Sequence, residues 1–398
     1  MNPYAAFQVA RLPEIRFGRG TLDELPAVLS GFGQRVLLVT GKRSLQATAY
    51  WPRLLAGFEG AGLRWSHVTV DDEPSPETVD QAVQRHRDDQ IDVVAGVGGG
   101  SVLDAAKAIA GLLRTGTSVL DHLEGVGRGI PYPGPAVPFI AVPTTAGTGS
   151  EATKNAVLSR RGHDGFKKSF RDNRLVAAVA IVDPALLESC PKDLIAANGM
   201  DAFTQLLESY VSLRASPFTD AVAASGMQAF RDGFWSAWTP DDPHAEHGFE
   251  RLAYASLCSG ITLAQSGLGS VHGLASPLGA FFPIPHGVVC GTLVAAATRT
   301  NILALRARAP DSAALQKYAE AGVLLCGRLF NSESAAQDGL IELLDDWTRR
   351  LDLARLGAYG VREADMPRIV EHCRGGSMQT NPLVLTDDEI AALLRTRL

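Results

Sequence analysis

The alternation of apolar and polar positions changes character about halfway along the chain. In the first half, short β-branched runs alternate with stretches of helical spacing. Residues 35–40 read as a buried strand ending at Gly41, and residues 65–70 as a second, closed by Asp71-Asp72-Glu73-Pro74. Residues 76–89 have helical spacing with their charges on one face. Residues 91–97 form a third strand running directly into Gly98-Gly99-Gly100-Ser101, and 102–113 an Ala- and Leu-rich helix. Two further strands fall at 137–142 and 179–182, the last closed by Asp183-Pro184. Strands alternating with helices predict a parallel α/β sheet.

From Pro191 onward nearly every segment has the helical period, notably 193–212, 217–238, 247–265 and 288–309. The switch predicts an α/β domain over residues 1–185 and an all-helical domain over 186–398. Residues 267–297 are almost uncharged but contain Pro277, Pro283, Pro285, His272 and His286. A membrane span would have to absorb broken backbone bonds and two buried imidazoles, so this stretch reads as a core segment lining a polar site.

Length and charge narrow the classes. A chain of 398 residues is too long for one ordinary core. With 46% hydrophobic residues it can bury two. A net charge of −6 argues against a broad nucleic-acid-binding surface. The five cysteines are scattered without a CxxC pair, which indicates neither a disulfide framework nor a thiolate zinc site. Residues 1–20 lack a basic segment followed by an apolar one, so a cytoplasmic protein with no membrane partner is expected.

Three groups of residues carry candidate chemistry. Asp201, His272 and His286 offer one carboxylate and two imidazoles in apolar surroundings, a donor set for a divalent first-row cation with a coordination position left open. Gly98, Gly99, Gly100 and Ser101 join a strand to a helix whose uncapped end favours a diphosphate. Asp104 is expected in that helix's first turn, suiting the dipole. A plain packing turn is the competing reading. Residues 143–151, rich in Thr, Gly and Ser, follow the next strand at the sheet edge where ligands of open α/β sheets bind. After the strand ending at Thr40, no acid is present to hold a ribose 2′-hydroxyl. Gly41, Lys42, Arg43 and Ser44 stand there instead, which tolerates a 2′-phosphate and favours NADP(H) over NAD(H). Ordinary solvated charges are the alternative.

Together these motifs resemble the iron-containing (group III) alcohol dehydrogenase family: residues 98–107, 143–151 and 180–184, Gly199-Met200-Asp201-Ala202, and His272 with Pro285-His286-Gly287, in the family's order. The resemblance implies a Rossmann-like dinucleotide-binding domain followed by an all-α metal-binding domain, the dehydroquinate synthase-like architecture, with the site in the cleft between them. It implies hydride transfer between NAD(P)(H) and a small alcohol or aldehyde at an Fe2+ or Zn2+ centre, in a homodimer or larger oligomer. By similarity, Gly98 to Ser101 hold the diphosphate, and Thr144, Thr145 and Thr148 lie along the ribose and nicotinamide. Gly41 and its neighbours face the adenosine ribose; many members have Asp at that position. The chain departs from the pattern twice. Gln205 stands where members often have a fourth, histidine ligand; at i+4 it shares a face with Asp201 and can point at the metal. Ser276 stands where members carry a proton-relaying His; a hydroxyl would relay only with water or the cofactor ribose. The alternatives are a dehydroquinate-synthase-like lyase and a nucleotide-binding protein with a decayed metal site.

Overall fold

A parallel sheet and an array of helices account for most of the computed structural model, which describes residues 6–398; the first five residues of the stretch read for a leader lie outside the described residues. The strands are β1 (Glu14–Phe17), β2 (Arg35–Gly41), β3 (Arg64–Val70), β4 (Val93–Gly98), β5 (Phe139–Pro143), β6 (Asn155–Arg160), β7 (Phe166–Arg171) and β8 (Val179–Val182). Six of them form one sheet in the order β1-β8-β5-β4-β2-β3, every neighbouring pair parallel. The helices of this half are α1 (Leu25–Ser30), α2 (Tyr50–Gly60), α3 (Pro76–His86) and α4 (Gly100–Leu112).

Alternate residues of the central strands enter two different cores. Leu37, Val39, Val94 and Ala141 pack with Val79 and Val83 of α3 and Leu103, Ala106 and Ile109 of α4. Val36, Leu38, Ala95, Val97, Ile140 and Val142 pack with Leu25 and Leu29 of α1 and Leu54 and Phe58 of α2. A strand covered on both faces must be apolar throughout, which is why these runs stand out in the sequence. After β2 the chain steps outward to β3, then returns to place β4 and β5 on the other side. That reversal opens a crevice at the carboxyl ends of β2 and β4, where Gly41 and Gly98 lie.

Three strands were not expected. β1 is an edge strand with exposed residues and no apolar run. β6 and β7 form an antiparallel hairpin outside the main sheet, pairing Asn155 with Arg171 through Arg160 with Phe166. Its Ala156, Leu158 and Phe170 join the core beside α4.

The remaining helices are α5 (Lys192–Val211), α6 (Pro217–Trp238), α7 (Ala245–Ser266), α8 (Ser270–Phe281), α9 (His286–Arg308), α10 (Ala313–Cys326), α11 (Glu333–Arg350), α12 (Met366–His372) and α13 (Asp387–Arg395). The chain divides into two compact units: Ala10–Arg160 with Gly165–Pro191, and Arg161–Asp164 with Lys192–Leu398. In the helical unit, Phe203, Phe230, Phe234 and Trp347 form an aromatic cluster. Among the described residues α9 alone is long and apolar enough to cross a bilayer. It is instead mostly buried, packed against α5, α8 and α11.

Candidate active site

Three helices of the second unit bring Asp201, His272 and His286 together. Asp201 lies at the centre of α5 and is 1% exposed. His272 sits in the first turn of α8, and His286 opens α9 directly after Pro285. The Oδ1 of Asp201 is 3.2 Å from Nε2 of His272 and 3.7 Å from Nε2 of His286. A fourth side chain, not anticipated from sequence, joins them. Cys290 lies one turn after His286 on the same face of α9, its Sγ 3.6 Å from His272 Nε2 and 3.8 Å from His286 Nε2. The four donor atoms lie within 4.8 Å of one another.

Other residues set the orientation of this cluster. Glu208, two turns after Asp201 on the same face of α5, accepts from His272 Nδ1 at 2.7 Å and from the Val271 amide at 2.6 Å. A carboxylate can only accept, so a neutral His272 carries its proton on Nδ1 and turns the Nε2 lone pair toward Asp201. Sequence reasoning missed Glu208; its spacing of seven from Asp201 was the available signal. Gln205 donates its amide nitrogen to Asp201 Oδ1 at 3.2 Å, while its oxygen accepts from Ser259 Oγ at 3.1 Å. The reversed amide would set an oxygen against the carboxylate, so the hydrogen-bond network fixes this orientation. Ser276 lies one turn after His272 on α8, partly exposed.

The electrostatics favour a positive charge at the centre. Burial works against the Asp201 charge, but His286 beside it and the hydrogen bond to His272 outweigh burial and bring the carboxyl down to about 2. Burial also works against a charged His272, yet Cys290, Asp201 and Glu208 around it raise it well above its ordinary value. Burial pushes the Cys290 thiol up to about 12. A carboxylate and two imidazoles, aimed at one point in a field that draws in a cation, fit a divalent first-row metal.

In the α/β unit, Gly98 ends β4 and Gly99 is the N-cap of α4, with no side chain capping the helix. Those first-turn amides face a strand's carboxyl edge, the arrangement that holds phosphate. The Thr144 amide donates to the Gly98 carbonyl at 3.0 Å, docking the loop that follows β5 onto the turn. The fit is tight. A Cβ on Gly99 would lie 3.2 Å from Thr145 Oγ1, one on Gly100 2.7 Å from Thr148 Oγ1, and one on Gly98 2.6 Å from Val102. Close packing and an accessible backbone are thus served by the same glycines, and both Thr hydroxyls stand beside the turn.

Asp104 departs from expectation. α4 begins at Gly100, two residues earlier than its periodicity indicates, so no acid lies in the first turn. The Asp104 carboxylate accepts instead from Ser150 Oγ at 2.5 Å and from the Val157 amide at 3.1 Å. Beside it the fully buried Lys107 ammonium donates to the Ser150 carbonyl (2.8 Å), Ser150 Oγ (2.9 Å), Thr153 Oγ1 (3.0 Å) and the Asn155 carbonyl (2.6 Å). Burial pulls Lys107 down to about 8 and pushes Glu151 up to about 7. This network fastens the loop and β6 to α4. At the end of β2, Gly41 leaves room for a side chain, its Cβ position 3.4 Å from Ser44 Oγ. Lys42 makes an exposed pair with Asp71 at 2.6 Å.

Residues 13–184 match the family described as iron-containing alcohol dehydrogenase, and residues 195–398 match its C-terminal region. A 1,3-propanediol dehydrogenase of Klebsiella pneumoniae is 31% identical over 384 residues, covering 93% of this chain and 95% of its own. An NADPH-dependent butanol dehydrogenase of Clostridium saccharobutylicum is 27% identical, covering 95% and 94%. Among solved structures, an archaeal halo-thermophilic alcohol dehydrogenase from a Red Sea brine pool superposes with a TM-score of 0.90 at 26% identity over all of both chains.

Proposed function

Because this chain belongs to the iron-containing alcohol dehydrogenase family and is an NAD(P)-dependent alcohol dehydrogenase or aldehyde reductase, we propose that Asp201, His272 and His286 hold its Fe2+ or Zn2+. We assign the dinucleotide diphosphate to the turn at Gly98 to Ser101, with Thr144, Thr145 and Thr148 along the ribose and nicotinamide. The observation that carries the metal assignment is the convergence of three donors from three helices, with Asp201 Oδ1 3.2 and 3.7 Å from the two Nε2 atoms.

Bound there, the cation supplies a Lewis acid for the substrate oxygen and the nicotinamide the hydride donor or acceptor. The protein's own groups prepare that chemistry. Asp201 supplies negative charge, and Gln205 holds its carboxylate in place. Glu208 fixes the ring of His272 and, in its neutral form, places the proton on Nδ1 so that the Nε2 lone pair faces the centre. Ser276 offers a hydroxyl one turn from His272 that would relay a proton only together with water or the cofactor ribose.

A panel of small aldehydes with NADPH and NADH, run on metal-stripped and metal-reconstituted protein, tests the reading. Stoichiometric cofactor oxidation only after Fe2+ or Zn2+ is restored is the expected result. Conversion of a phosphorylated sugar acid with no net cofactor consumption would move the protein to the lyase reading.

Two predictions follow from individual residues. We favour NADP(H), on Lys42, Arg43 and the absence of a carboxylate at Gly41. Gly41→Asp should then lower kcat/KM with NADPH relative to NADH by about 10- to 100-fold, or about 1.4–2.8 kcal/mol, through repulsion of the 2′-phosphate. Unchanged relative efficiency would remove the assignment of this strand end. Glu208→Gln should weaken metal binding about 10- to 100-fold in a chelator competition, the usual cost of losing a partner that orients a ligating histidine.

A further inference from the structure

Cys290 is absent from the metal assignment above, yet it stands where a fourth donor belongs. We propose that its thiolate is a ligand of the metal, making the centre Asp201, His272, His286 and Cys290, with Gln205 positioning Asp201. The inference rests on the metal reading and deepens it.

Geometry carries the argument. Tetrahedral bonds of about 2.0 Å to nitrogen or oxygen and about 2.3 Å to sulfur place donor atoms about 3.3–3.5 Å apart. Four of the six edges here are 3.2 Å and 3.7 Å from Asp201 to the two imidazoles, and 3.6 Å and 3.8 Å from Cys290 to the same two nitrogens. Each edge is within a few tenths of an ångström of the expected value. Cys290 is fully buried, so its sulfur has no solvent to face and points into the cluster. His286 and Cys290 are four residues apart on α9, which lets one helix face present both.

Gln205 is the competing fourth donor, and its surroundings oppose that role. Its oxygen is held by Ser259 Oγ at 3.1 Å, and its nitrogen is spent on Asp201 at 3.2 Å. To ligate through oxygen, the amide would have to turn over and give up its bond to the Asp201 carboxylate, handing its nitrogen to Ser259 Oγ, whose own proton can go to the Ser256 carbonyl at 2.8 Å. Cys290 needs no such rearrangement. A thiolate in place of a neutral amide also makes the donor set softer and more negative, which favours zinc. Asp201, His272, His286 and Cys290 would then hold the cation together, and a zinc so held could still act as a Lewis acid by expanding its ligand number.

Cobalt substitution reads the ligand directly, because a thiolate bound to Co2+ gives a strong near-ultraviolet charge-transfer band that oxygen and nitrogen donors do not. The wild-type protein loaded with Co2+ should show that band. Cys290→Ser should lose it and bind Co2+ at least about 10-fold more weakly by chelator competition, a loss no smaller than that of an outer-shell partner. Cys258→Ser and Gln205→Ala should both retain the band. Cobalt bound with visible d–d bands but no sulfur band, or a band that survives Cys290→Ser, overturns the Cys290 assignment and leaves the Asp201, His272 and His286 centre standing. Failure of the wild-type protein to bind cobalt, zinc or iron at all overturns both.

Discussion

His272→Ala is expected to give a folded protein that retains no metal after dialysis and turns over at least about a thousandfold more slowly. The substitution deletes a donor whose Nε2 lies 3.2 Å from Asp201 and removes the ring that Glu208 holds at 2.7 Å. A metal that polarises a substrate oxygen contributes several kcal/mol of transition-state stabilisation. At about 1.4 kcal/mol per factor of ten, losing about 4 kcal/mol costs about three orders of magnitude. The fold should survive, because Glu208 keeps its bonds from the Val271 and His272 amides and is not left as an orphaned buried charge. Elemental analysis, kcat and far-ultraviolet circular dichroism together make the check. Full turnover with no bound metal would refute the role of His272.

The second large effect is structural. Lys107→Met should destabilise the α/β unit by about 3–5 kcal/mol, the range found when one partner of a buried charged network is removed. The methionine fills most of the lysine's volume but donates nothing. It abandons the carbonyls of Ser150 and Asn155 and the hydroxyls of Ser150 and Thr153, and leaves Asp104 without its neighbouring cation. Denaturant unfolding gives the difference directly. The pH dependence has a definite sign. Burial lowers the folded-state value of Lys107 to about 8 from an ordinary 10.5. Between those values the unfolded chain binds more protons, so this group adds to wild-type stability as pH rises through that window. The gap between wild type and variant should therefore widen from pH 8 to 10.5. A gap that narrows there would mean that Lys107 is not held down by burial.

Four of the five strands legible in the sequence share one physical trait. β2, β4, β5 and β8 are buried on both faces along most of their length, so each carries an apolar run of at least four residues. β1 lies at the sheet edge, with charged Glu14 and Arg16 in its short span, and carries no such run. β7, with Lys167 and Lys168 between its two phenylalanines, alternates too weakly to be seen. The long helices of the second unit were legible from their period, within about two residues at each end. In the site, Asp201, His272 and His286 could be picked out because each falls inside a recognisable motif. Cys290 and Glu208 could not, although each is on the same helix as a motif residue, at i+4 from His286 and i+7 from Asp201. Their meaning depends on three helices meeting, and no one segment encodes that.

The three consecutive glycines where β4 passes into α4 have a consequence for engineering cofactor choice. Each leaves space that a neighbour fills: Val102 against Gly98, Thr145 against Gly99, Thr148 against Gly100. The turn and the threonine loop therefore interlock like a tooth and its socket, and neither can be enlarged alone. Libraries that randomise one loop at a time should return mostly misfolded clones. Paired libraries that shrink position 148 while enlarging position 100 should recover soluble protein with reshaped nucleotide pockets.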